Sequence, residues 1–290
     1  MRSSTEPDSG PAVIDSPVRL REVSRGWHRA GDVVGLVPTM GALHTGHMSL
    51  VDRARAENTK VVVSIFVNPL QFGPNEDFQR YPRPVAADLE LLRRASIDVV
   101  YMPRPEAMYP PEASTRVSVR GLTSRLEGLA RPGHFEGVAT VVAKLFWASE
   151  ADRAYFGQKD AQQVAVVKRL AADLDSGVEI RVGPTVRETD GLAVSSRNAY
   201  LDARERQAAA SLSRALRKAA DAYRAGERDL AILRGTLLDE LGRQPLAQVD
   251  YAELVDPEDF EGPGTLAVLA VRIGRTRLID NHDLAKPFPG

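Results

Sequence analysis

The sequence predicts an α/β protein, a doubly wound parallel sheet followed by a smaller α+β C-terminal domain. Three observations carry that expectation. Apolar β-branched runs alternate with helical segments over residues 33–182, the pattern changes after about Glu188, and glycine-marked turns follow the runs where ligands of such sheets bind.

The first run, Val33 to Val37, passes through a glycine-marked turn into His47 to Asn58, where Leu50, Val51, Ala54 and Arg55 fall at helical spacing. Val61 to Val67 reads as the next strand and Val85 to Ala95 as the next helix. Asp98 to Met102 is a third strand, and Val138 to Ser149 is a helix. A strand, turn and helix then begin at Tyr155, with the helix over Ala161 to Asp173, and Val178 to Val182 closes the series. Apolar runs of this kind are strands buried on both faces. Beyond Glu188 the sequence predicts helices from Ala203 to Ala225 and from Leu230 to Leu241, then a small antiparallel sheet from VDYAELVD and TLAVLAVRIGRTRLID. The expected units are residues 17–185 and 186–290. Residues 1–16, polar and rich in Pro and Ser, read as a mobile leader.

A length of 290 residues suits two unequal domains. A net charge of -1 gives no global reason to expect nucleic acid or an anionic membrane, so anion binding must be local. With no cysteine, the chain has no disulfide, thiolate metal site or cysteine nucleophile, which fits a reducing cytoplasm. Neither a signal-peptide core nor a membrane span is visible.

The chemistry concentrates at four turns. PTMGALHTGH delivers His44 and His47 where a helix starts, with Gly46 between them. A helix N-terminus gathers free N–H groups and dipole charge, so two imidazole donors there would face an anion. No HExxH or cysteine accompanies them, so zinc lacks support. FVNPLQF places the amides Asn68 and Gln71 at a strand end, suited to a hydroxylated carboxylate, although Asn68-Pro69 reads equally as a turn. FGQKDAQQ puts Lys159 at the positive end of a helix, where an anion would compensate it. Asp160 reads as an N-cap, and Gln163 lies at i+4 from Lys159. SSRN offers Ser195, Ser196 and Arg197 to polyphosphate oxygens, or forms a polar turn capped by Asn198. RPGHFEGVATVV reads as a flap or as a turn before a core helix, with His134 structural or surface rather than catalytic. GxxxxGK[ST] and GxGxxG are both absent.

Together PTMGALHTGH, FVNPLQF, RPGHFEGVATVV, FGQKDAQQ and SSRN closely resemble the pantoate–β-alanine ligase family of the HIGH-type nucleotidyltransferase superfamily, over about Val33 to Asn281. The resemblance implies a Rossmann-like domain, a smaller lid domain and a homodimer. It further implies that ATP and pantoate form a pantoyl adenylate with release of pyrophosphate, that β-alanine displaces AMP, and that Mg²⁺ bridges the phosphates. Carried over by motif, His44, His47, Lys159, Ser195, Ser196 and Arg197 would be catalytic. Met40, Gly46, His47, Gly157, Lys159, Asp160, Val186, Val194, Ser195 and Arg197 would bind ATP. Gln71, Gln163 and Asn68 would take pantoate. Neither serine is assigned as a nucleophile, because attack by a carboxylate needs alignment and charge stabilisation. Asp88 is the metal candidate, although a solvated helix face also explains it. Thr45, Gln158, Ala161 and Val194 depart from the family pattern, which predicts altered ATP packing rather than lost activity. The competing readings are a transferase moving AMP or CMP onto a phosphorylated small molecule and a non-catalytic ligand-binding paralogue.

Overall fold

The computed structural model describes residues 10–74 and 76–289. Strands β1 (Ala12–Ile14), β2 (Val34–Thr39), β3 (Lys60–Ile65), β4 (Val99–Tyr101), β5 (Arg153–Gly157) and β6 (Glu179–Gly183) form one parallel sheet in the order β1-β4-β3-β2-β5-β6. The helices accompanying it are α1 (Pro17–Arg29), α2 (Thr45–Glu57), α3 (Val85–Arg94), α4 (Pro105–Met108), α5 (Glu127–Ala130), α6 (His134–Ser149) and α7 (Ala161–Asp173). Side chains of a strand alternate between faces, and the core shows it. Val34, Leu36 and Val62 pack with α1, α6 and α7, whereas Val37, Val61 and Val63 pack with α2 and α3. The result is the three-layer Rossmann-like arrangement that the alternating runs predict.

The strand order reverses between β2 and β5, and there the sheet opens. β2 pairs with β3 along six residues, but with β5 only at Gly35–Arg153 and Leu36–Ala154. The carboxyl ends of these two neighbours therefore separate without ladder bonds, leaving a crevice at the topological switch point.

The smaller domain holds α8 (Ala203–Ala209), α9 (Ser211–Arg224) and α10 (Leu230–Gly242) against an antiparallel sheet of β7 (Ala247–Val255), β8 (Leu266–Ile273) and β9 (Thr276–Asp283). A capping box starts α8, with the Asp202 carboxylate accepting from the Arg204 and Glu205 N–H groups and Glu205 accepting from the Asp202 N–H. Ala161 and Ala165 of α7 pack against Val255, Phe260, Leu266 and Val268, joining the two domains through an apolar seam.

Two expectations need correction. The leader expected over residues 1–16 is partly structured: residues 1–9 lie outside the described residues, but Ala12–Ile14 pairs with Val99–Tyr101 as the edge strand, and Ser16 caps α1 with Pro17 at its first position. The single helix expected from Ala203 to Ala225 is two helices that meet at Ala210. Among the described residues no helix is long and apolar enough to cross a membrane.

Candidate functional site

A cavity of about 210 Å³ lies in the crevice, lined by residues from each turn that the sequence singles out, including Met40, His44, Gly46, His47, Asn68, Gln71, Gly157, Lys159, Asp160, Gln163, Val186, Val194, Ser195, Ser196 and Arg197. Segments more than 150 residues apart in sequence converge because β2, β3 and β5 all end at this rim.

The histidine turn is built from backbone bonds. Gly41 and Ala42 both take positive φ, and the Ala42 and Leu43 N–H groups donate to Asp88 Oδ2 and Oδ1 at 2.8 Å each. A carboxylate taking two backbone donors offsets the strain of a left-handed alanine. Asp88 is only 1% exposed and does not line the cavity, so neither the metal-ligand nor the solvated-face expectation holds. Its role is to shape the loop that presents the histidines.

His44 is the N-cap residue of α2 and makes no side-chain cap bond. Its ring stacks on His47 with centroids 3.9 Å apart, and both Nδ1 atoms are buried with no partner. Burial, then the nearby Lys159 ammonium, pushes His44 down to about 4. Burial, followed by His44 and Lys159, pushes His47 down to about 3. At neutral pH both rings are therefore uncharged donors and poor general bases. A Cβ on Gly46 would lie 3.1 Å from the His44 ring, so this glycine makes room for the imidazole as well as for a ligand.

On β3's side, Asn68 is fully engaged within the protein. Its Nδ2 donates to Gln71 Oε1 at 3.1 Å and to the Gly137 carbonyl at 3.0 Å, while its Oδ1 accepts from Leu70 N–H and the Tyr109 hydroxyl. Those four bonds fill an amide's capacity, so Asn68 orients Gln71 instead of contacting substrate itself. Gln71 keeps one N–H and one lone pair after bonding Met40 Sδ and Asn68.

On β5's side, Gly157 has open space where a Cβ would sit. Lys159 lies in a 3-10 turn, Gln158–Asp160, with its ammonium 3.6 Å from Asp160 Oδ1. Asp160 occupies the N-cap position of α7 but makes no cap bond, so its carboxylate serves the lysine instead. Gln163 lines the cavity and, among the described residues, makes no side-chain hydrogen bond. Thr45, Gln158 and Ala161 are not among the residues that line the cavity, which leaves Val194 as the departure from the family pattern that faces it.

Ser195, Ser196 and Arg197 complete the rim with partners the sequence does not reveal. Ser195 Oγ accepts from the Arg197 N–H, Ser196 Oγ lies 3.1 Å from the Tyr81 hydroxyl, and the Arg197 guanidinium is forked onto Asp77 at 2.9 and 3.1 Å. Asn198, expected to cap this turn, bonds Glu188 and the Ala193 carbonyl instead. His134 is buried; its Nδ1 donates to the Gln71 carbonyl, 2.9 Å away, and its Nε2 accepts from the Arg131 guanidinium at 3.1 Å. Asp77 and Tyr81 escape sequence reading because single Asp and Tyr residues in a loop carry no spacing signal, whereas Arg131 opens the RPGHFEGVATVV segment without its partners being visible there.

Among the described residues no group of three His, Cys, Asp or Glu side chains is placed to hold a metal ion. Among the described residues the carboxylate lining the cavity is that of Asp160, already paired with Lys159, which is too small a donor set for a resident metal.

The pantoate-beta-alanine ligase family model matches residues 12–283. The chain is 56% identical over 274 residues to the pantothenate synthetase of Roseiflexus castenholzii, covering 93% of this chain and 98% of that one. It is 51% identical over 275 residues to the pantothenate synthetase of Herpetosiphon aurantiacus, with 93% and 98% covered. The crystal structure of pantothenate synthetase from Thermus thermophilus superposes with a TM-score of 0.88 at 44% identity, covering 94% of this chain and 99% of that one. A pantoate–β-alanine ligase from Francisella tularensis, solved with β,γ-ATP and β-alanine, superposes with a TM-score of 0.81 at 33% identity, covering 96% and 100%. Sharing this fold, these motifs and half its sequence with such relatives along nearly its whole length, the chain belongs to the pantoate–β-alanine ligase family.

Proposed function

We propose that the chain activates pantoate with MgATP in this cavity and passes the pantoyl group to β-alanine, giving pantothenate, AMP and pyrophosphate. Family membership makes it an amide-forming ligase. The observation that carries the finer reading is the convergence of two neutral histidines with unpartnered Nδ1 atoms, one lysine, the Gln163 amide and the spare N–H and lone pair of Gln71 on a single cavity at the switch point.

In the first step a pantoate carboxylate oxygen attacks the α-phosphorus, the α–β bridging P–O bond breaks, and pyrophosphate leaves. Gln71 and Gln163 would hold the pantoate, and His44, His47 and Lys159 would face the phosphates. Val186 and Val194 would wall the adenosine. Neutral imidazole donors stabilise developing oxygen charge without raising the electrostatic cost of the empty site. In the second step the β-alanine nitrogen attacks the acyl carbon, its C–O bond to AMP breaks, and the amine loses a proton. Ser195 and Ser196 supply hydroxyl donors, with no covalent intermediate. Arg197, already neutralised by Asp77, contributes its remaining N–H donors more than net charge. Mg²⁺ enters with ATP as part of the substrate. A homodimer and a cytoplasmic location, where ATP is supplied, belong to the same proposal on the resemblance alone.

The test is exchange of labelled pyrophosphate into ATP with β-alanine absent. Exchange that requires pantoate and is abolished in His47→Ala is the expected outcome; pantoate-independent exchange, or none from a folded protein that binds ATP, would overturn the reading.

A further inference from the structure

The turn that carries Lys159 is held from the other domain. Asn281 of β9 is 5% exposed, and its Nδ2 donates to the backbone carbonyls of Gln158 at 3.0 Å and Lys159 at 2.9 Å. The Gln158 side chain answers with a bond from Nε2 to Asn281 Oδ1 at 3.3 Å. The side chain is thus locked on both ends against a three-residue 3-10 turn that has no side-chain cap of its own.

The neighbouring residue grips a second segment of the wall. Asp280, 2% exposed, is forked by Arg187 at 2.7 and 3.0 Å and also accepts the Asn281 N–H at 2.8 Å. Arg187 directly follows Pro184, Thr185 and Val186 on the cavity wall. Two consecutive residues of β9 therefore fix two segments of the cavity wall, although neither residue lines the main cavity.

We propose that Asn281 is a positioning residue for the adenylation step: it sets where the Lys159 ammonium lies relative to the ATP phosphates, acting only through that lysine. This rests on the ligase reading above. A short turn pinned by two donors to its carbonyls cannot swing, so its lysine is pre-placed before ATP arrives. Losing both donors frees the turn and also strands two partly buried carbonyls. Small displacements of a charge-stabilising group carry large rate penalties.

The experiment is a double-mutant cycle on MgATP affinity and on pantoate-dependent pyrophosphate exchange, with Asn281→Ala and Lys159→Ala alone and together. Asn281→Ala is expected to lower exchange about 10²-fold and to weaken ATP binding, while leaving the KM for β-alanine unchanged. In the Lys159→Ala background it should change neither quantity further. Effects on ATP affinity that add in the two backgrounds would overturn the proposal, as would full exchange in a folded single variant. Asn281→Asp keeps the side-chain volume and removes the donors, and carries the same cycle where the alanine variant does not fold. Wild-type protein is scored first: absence of ATP binding or exchange there sinks the ligase reading itself, whereas additivity of the variants sinks only the role of Asn281.

Discussion

Burial decides the charge of this site. His47 and His134 are both lowered from their ordinary 6.5, to about 3 and about 4, chiefly by desolvation. Their folded-state values lie below the unfolded one, so the unfolded chain takes up protons first as pH falls. Stability is fully present above 6.5 and is lost as pH drops through the range from 6.5 to about 4 for His134, by about 1.4 kcal/mol per pH unit for each such histidine. Urea midpoints measured at pH 7 and pH 5 should converge in His134→Gln relative to wild type. A variant with the same pH dependence as the parent would show that the imidazole is not the titrating group. At this scale residue type alone led to side chains that line the cavity, as with His44, His47, Gln71, Lys159 and Gln163. The sequence was opaque where a side chain works through backbone atoms. Asp88 serves N–H groups 45 and 46 residues earlier, and Asn281 serves carbonyls over 120 residues away. No periodicity or motif encodes such partners.

Among elements, α6 lies hard against the turn carrying Gln71. A Cβ on Gly137 would lie 2.4 Å from the Leu70 carbonyl carbon and oxygen and 2.7 Å from the Gln71 nitrogen, all backbone atoms that cannot rotate away. Gly137→Ala must push the Pro69–Gln71 turn outward, at a cost of about 1–3 kcal/mol. Because Asn68 ties that turn to the Gly137 carbonyl and to the Gln71 amide, the expected kinetic signature is a raised KM for pantoate with the KM for ATP little changed. Steady-state kinetics in both substrates checks this, and an unaltered pantoate KM counts against it. The strand and helix sequence of the larger domain was legible because buried parallel strands are written as unbroken apolar runs. β1 was not, since three residues at a sheet edge behind a Pro/Ser-rich stretch give too short a run. The break at Ala210 was equally silent: its φ of -61° and ψ of -13° barely leave the helical region, and no Gly or Pro marks it.

For the molecule as a whole, the joint between domains is partly ionic. Glu127, 5% exposed, accepts two bonds from Arg277 at 2.6 and 2.8 Å and one from the Tyr251 hydroxyl at 2.8 Å, with Arg131 3.8 Å away. Arg131 in turn donates to the Gln71 carbonyl, so this joint ends at the cavity turn that carries Gln71. Removing the carboxylate takes away the partner the two arginines share, leaving Arg277 with Asp250 and Arg131 with Glu76. Glu127→Gln should therefore lose about 1.5–3 kcal/mol in equilibrium urea unfolding, the range of buried hydrogen bonds to a charged group, and a loss below about 1 kcal/mol, the range of exposed pairs, would contradict the buried-joint account. The tie between β9 and the cavity also constrains recombination. A chimaera that takes residues 186–290 from a relative would bring its own side chains to positions 280 and 281, but would meet the 157–160 turn of the original. Functional gene shuffling in this family should therefore succeed when those two short stretches travel together, even at crossover points that cut through either domain.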